Sequence, residues 1–98
     1  MSGETLPRMT AVEAVIHGVL KICWNDGYEG VVDLRPLIAR GEIFEYIRDP
    51  DNFAKVKLSE YGHTVHWFDL NGYEIDLGSD SLRRDAEKQA ELHRLIAI

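Results

Sequence analysis

Only one cysteine occurs in the 98 residues, so no intrachain disulfide can form. Its setting in the apolar phrase LKICW makes Cys23 read as a small buried hydrophobe rather than a catalytic thiol. No apolar run approaches the roughly 18 residues that a membrane-spanning helix needs. The opening MSGETLPRMT has no apolar core of the kind a secretory signal carries, so a cytoplasmic chain is expected. An excess of basic charge is also missing. Eleven Lys and Arg stand against 17 Asp and Glu, a formal charge of -6, and nucleic-acid affinity rests largely on neutralising phosphates. These residues are therefore expected not to bind DNA or RNA directly, and an acidic surface suits a basic protein partner. The arginines of RPLIAR and LRRDAEK read as solvated helix faces.

What is present is the composition of a soluble globular domain, 45% hydrophobic and 29% charged. The phrase ICWNDGYEGVVDL, residues 22–34, is echoed by VHWFDLNGYEIDL, residues 65–77. Each echo reads as an antiparallel hairpin, turning at Asp26-Gly27 or at Asn71-Gly72, with a Trp in the first arm and an Asp-Leu exit from the second. A further break at His17-Gly18 makes residues 11–34 three strands. The turn follows Trp24 and Trp67 at different distances, so the echo reads as convergent hairpin chemistry with Trp and Tyr as cross-strand partners, not as a duplication. Between the hairpins, Pro36 opens a stretch in which Leu34, Leu37, Ile38, Ile43, Phe44 and Ile47 suit short helical turns. RDPDN reads as a break in that pattern. FAKVKLS reads as a strand with Ala54, Val56 and Leu58 inward. Trp24, Phe44, Phe53, Val56 and Trp67 are the expected core.

The tail from Gly78 reads as a helix, with Ser79, Asp80 or Ser81 as its cap. Leu82, Ala86, Gln89, Ala90, His93 and Ala97 trace one stripe, widened at its end by Leu92, Leu95 and Ile96. The apolar Leu-Ile-Ala-Ile terminus needs this domain's sheet, a second copy or further chain to cover it. Leu82, Ala86, Leu92, Leu95, Ile96 and Ile98 are therefore the expected interface residues, and a homodimer is the expected assembly. The chain divides into a flexible lead-in (1–10), a hairpin domain (11–81) and a C-terminal helix or start of a linker (82–98).

The polar residues suggest no reaction. His63 and His66, three apart in a strand, point to opposite faces and cannot share a metal ion. His17 reads as a turn residue, and Asp26, Asp33, Asp69 and Asp76 as solvated carboxylates at turns and strand exits. Trp24 and Trp67 could floor a pocket, but strand aromatics more often pack in a core. No Gly-rich phosphate loop, G-x-S-x-G elbow or H-E-x-x-H helix occurs. No catalytic residue, cofactor or metal is expected.

A family resemblance rests on Asp33, Leu34, Pro36, Leu37 and Ile38, then Phe44, Ile47, Arg48, Asp49 and Pro50, then Phe53, Val56, Val65 and Trp67. This series resembles domain of unknown function 2442, a bacterial family, over roughly residues 11–82. The resemblance implies an α+β fold of hairpins, short helices and a C-terminal helix, with no established catalytic residues. The later pattern Asp80, Leu82, Arg83, Ala86, Glu87 and Gln89 resembles the branch that joins this domain to a lambda-repressor-like helix-turn-helix, for which the 98 residues leave no room. The function expected is a non-enzymatic interaction or oligomerisation domain of a bacterial transcriptional-regulator-like protein. The alternative is a stand-alone antitoxin-like chain that binds a basic protein.

Overall fold

The computed structural model describes residues 8–96 and carries two small antiparallel sheets joined by short helices and closed by a long one. The first sheet is the meander β1 (Met9–Ile16), β2 (Val19–Trp24) and β3 (Glu29–Asp33). Along β2 the apolar side chains Leu20, Ile22 and Trp24 are buried while Lys21 and Cys23 are only half-buried, the alternation of a strand with one packed face. β1 starts at Met9, two residues before the expected strand, and Met9 is buried opposite Trp24. Most of the expected lead-in, residues 1–7, lies outside the described residues.

The middle of the chain holds three short helical pieces, α1 (Arg35–Ile38), a 3-10 segment (Glu42–Arg48) and α2 (Pro50–Phe53). Here RDPDN does end the 3-10 segment, at Arg48 with Asp49 extended, but it also opens a further helical turn. Asp49 is an N-cap whose Oδ1 accepts the N–H groups of Asp51 at 2.8 Å and Asn52 at 3.4 Å, and Pro50 takes the first helical turn, where its missing N–H costs nothing. Arg48 donates to the carbonyls of Ile38 at 2.9 Å and Gly41 at 2.8 Å, satisfying groups around the end of α1. The Arg-Asp-Pro triplet is thus a joint between two helical turns. Phe53 consequently belongs to α2 and not to a strand, and β4 shrinks to Lys57–Leu58. Ala54 is exposed, against the expectation, whereas Val56 and Leu58 are half-buried and pack against the core.

The second sheet, β4, β5 (Thr64–Phe68) and β6 (Glu74–Gly78), repeats the meander. Its turn repeats the backbone hydrogen bonds of the first hairpin. Trp24 donates to the carbonyl of Tyr28 and Gly27 to that of Trp24; Asp69 donates to the carbonyl of Tyr73 and Gly72 to that of Asp69. Gly27 and Gly72 both take positive φ, 90° and 84°, which an L side chain would resist. Trp24 stands at the first position of its turn and Trp67 two residues before its own. A shift of two preserves the face of a strand, so both indoles point inward despite the unequal spacing. The cross-strand aromatic pairing holds only in the first hairpin, where Trp24 and Tyr28 rings are 5.7 Å apart; Trp67 faces Ile75.

One core joins the sheets, with Leu20, Ile22, Trp24 and Val32 from the first, Val65, Trp67 and Ile75 from the second, and Phe44, Ile47 and Phe53 between them. Phe53 stacks on Trp67 at 5.5 Å, and its carbonyl accepts the Trp67 indole N–H at 2.9 Å. Gly62 lies so close to the backbone of Met9 that a Cβ there would collide with the Met9 carbonyl, and Met9 donates to Gly62 at 2.8 Å. This contact pins the edge of the first sheet to the loop of the second.

Candidate interaction surfaces

The long helix α3 (Ser79–Ile96) follows β6 directly, so Asp80 and Ser81 fall inside its first turn. The hydroxyl of Ser79 accepts the buried indole N–H of Trp24 at 3.0 Å. Leu82 and Ala86 are buried in the chain's own core, and the approach is possible because Gly30 on β3 has no side chain: a Cβ there would stand 2.9 Å from that of Ala86. Of the six expected interface residues, these two are therefore already covered within the chain. Gln89 closes the docked part of the helix by accepting the N–H of Asp33 at 3.1 Å, an outward-facing group of the edge strand β3.

Beyond Gln89 the helix leaves its support. Every residue from Glu91 to Ile96 is exposed, including Leu92, Leu95 and Ile96, the last at 80%. Ile98 lies outside the described residues. Ala90 and His93 line, with Val31 and Glu29 of β3, an open groove of about 480 Å3. The edge strand with its shallow groove and the apolar helix end are each surfaces that water covers poorly.

Arg83 is the residue whose role the sequence reading missed. It is not on a solvated face: its guanidinium lies 4.1 Å from the ring centre of Tyr28 and 5.3 Å from that of Trp24. Its terminal nitrogens hold Asp26 at 2.9 and 3.2 Å, and its Nε holds Glu87 at 2.7 Å. The hydrogen bonds that Arg83 donates to Asp26 hold the Asp26 carboxyl below the usual carboxylate range and raise the guanidinium. The helix is thereby latched onto the first hairpin turn. Asp26 is accordingly a latch rather than a free turn carboxylate. Arg84 stays exposed.

The remaining polar candidates fall into structural places. Asp33 accepts the backbone N–H of Arg35 and pairs with its guanidinium at 2.8 Å, which lowers the Asp33 carboxyl and fixes the entry to α1. The Cys23 thiol is half-buried and donates to Glu29 at 3.3 Å, which raises it and keeps the reactive thiolate scarce. His17 Nε2 meets the Ile47 carbonyl at 3.1 Å while its ring stands edge-on to Phe53. His66 Nδ1 lies 3.5 Å from Glu74 without making a hydrogen bond. Among the described residues no three His, Cys, Asp or Glu side chains are grouped to hold a metal ion, and no helix is long and apolar enough to cross a membrane.

Two meanders, a capped helical joint and a latched, projecting helix define an α+β domain. The chain belongs to the family described as "Protein of unknown function (DUF2442)", whose model matches residues 9–88. It is also similar to the crystal structure of "Putative DNA Binding Protein NE0471" from Nitrosomonas europaea ATCC 19718, at 31% identity and a TM-score of 0.75. The match covers 93% of this chain and 56% of that one, so this chain spans little more than half the length of that protein. None of the curated proteins compared matches the chain.

Proposed function

We propose that these residues form a non-enzymatic oligomerisation domain of a bacterial transcriptional-regulator-like protein, assembling as a homodimer through the free end of α3. The observation that carries this reading is the division of α3: Leu82 and Ala86 are spent on the chain's own core, whereas Leu92, Leu95 and Ile96 are left exposed at its end. A symmetric pair could bury the tails against each other or across the groove, as two-fold interfaces of self-complementary patches do. The likeness to a longer protein described as DNA-binding supports the regulator part of the reading, as does the resemblance of residues 80–89 to the segment preceding a helix-turn-helix. In that arrangement the acidic domain holds two DNA readers at a fixed spacing and makes no phosphate contacts itself.

Sedimentation equilibrium tests the proposal. The expected result is a dimer that falls to monomer when Leu92, Leu95 and Ile96 are replaced by Ser, with the far-ultraviolet circular dichroism little changed. A monomer for the parent chain at high micromolar concentration overturns it. Specific duplex binding by these residues alone, at about 150 mM salt and sub-micromolar affinity, would overturn the division of labour.

A further inference from the structure

The two hairpins end in the same turn with Tyr at the same position, but only the first is covered. Tyr28 is half-buried beneath Arg83, with Ala86 packed close by. Tyr73, its counterpart, is 71% exposed. It continues the inward-facing row of β6, Leu77 and Ile75, past the point where the core ends. Beside it stand Leu70 at the tip of the turn, 93% exposed, and Ile43 from the 3-10 segment, 72% exposed. These side chains line two adjoining clefts of about 390 and 420 Å3 that share Ile43 and Asp69.

The charge around the clefts has one sign. Glu42, Glu45, Asp69, Glu74 and Asp76 line them, and no Lys or Arg does. Only Glu74 has an ion-pair contact among the described residues, the weak one to His66. Exposed apolar side chains within a rim of unneutralised carboxylates favour an occupant that brings apolar and cationic groups together. The first hairpin displays such an occupant within the molecule, a helix that sets an arginine over the turn tyrosine and onto a turn carboxylate while an alanine packs against the strand. We infer that the open end of the second hairpin is a docking site for a basic, amphipathic helix of another protein.

A second copy of this chain fits the site badly. Apposing two such surfaces would set carboxylates against carboxylates, and the exposed tail of α3 brings no net positive charge, because Arg94 is paired with Glu91 at 2.6 Å. Nucleic acid is repelled by the same rim. The site is separate from the α3 tail, so it can fail while the dimer proposal stands, and the reverse.

The test uses the full chain labelled with nitrogen-15 and titrated with an amphipathic peptide of about 18 residues, long enough to be helical, built from Leu, Ala, Lys and Arg. Saturable binding is expected, with amide shifts at Ile43 and Leu70 to Tyr73. Ile43→Ser with Leu70→Ser should weaken it about tenfold or more, since both side chains lose burial on binding. Both positions are exposed, so the fold is retained. Glu42→Gln with Glu45→Gln should weaken it as well and flatten its salt dependence. The inference is overturned if the double serine variant binds like the parent, which would mean diffuse attraction to an acidic surface. It is equally overturned if the shifts map elsewhere, if nothing binds, or if a peptide with Glu in place of Lys and Arg binds as well. Concentration-dependent shifts at the same residues without peptide would make a second copy the occupant and also overturn it.

Discussion

The covered and the open hairpin ends carry the same turn, yet one is part of the fold and the other is surface. Trp24, Tyr28 and Asp26 are held by Ser79 and Arg83 of a helix that begins directly after β6. Tyr73 and Leu70 have no such helix over them. The difference is not in the turns themselves but in where the chain goes next: β6 delivers α3 across the first sheet and leaves the second hairpin's tip behind. Equal local chemistry therefore acquires unequal roles from topology.

The most damaging way to break this arrangement is at the element both hairpins share. Phe53→Ala should cost about 3–5 kcal/mol by emptying a fully buried aromatic site stacked on Trp67, measured as a fall in the urea midpoint. A loss below about 1 kcal/mol would place Phe53 outside the common core.

The comparison sharpens with paired substitutions at the two ends. Arg83→Ala should cost about 1 kcal/mol, since it removes a cation over two aromatic rings. Leu70→Ser should stay within about 0.5 kcal/mol of the parent, as surface substitutions do. Equal effects at the two ends would erase the distinction.

The smallest effect is one of pH. The Asp26 carboxyl is depressed by Arg83, so its contribution is full above the unfolded value of about 3.9 and is lost as pH falls through the lower folded value. The difference in urea midpoint between the parent and Asp26→Asn should therefore be constant near neutrality and shrink below about pH 4. A difference that grew in acid would mean the latch does not depend on the ionised carboxylate.

Much of this architecture was legible because it is written locally. The Asp-Gly and Asn-Gly turns, the alternation along β2 and the uninterrupted tail each declare their element within a few residues. Phe53 falls in α2 although Ala54, Val56 and Leu58 alternate like a strand, because Asp49 capping a turn opened by Pro50 is the stronger local signal. Arg83 and Asp26 are 57 residues apart, so no spacing rule connects them. Leu82 and Ala86 lie on the stripe and Leu92 and Leu95 only widen it, yet nothing local says that the stripe is covered by the chain itself. Only Gly30, a strand residue small enough to admit a helix, hinted where docking stops and free surface begins. The open cleft was hidden for the same reason, because Ile43 looked like any other apolar residue of a helical turn.

The central claim is that the end of α3 is built for a second copy, and a dilution series reads it most directly. In nitrogen-15 spectra recorded from about 1 mM down to about 10 μM, a range spanning modest dimer affinities, the amides of Leu92, Leu95 and Ile96 and those of the β3 edge should move together along one binding curve. Amides of those segments that stay fixed over the whole range, or concentration-dependent shifts confined to other parts of the chain, would contradict it.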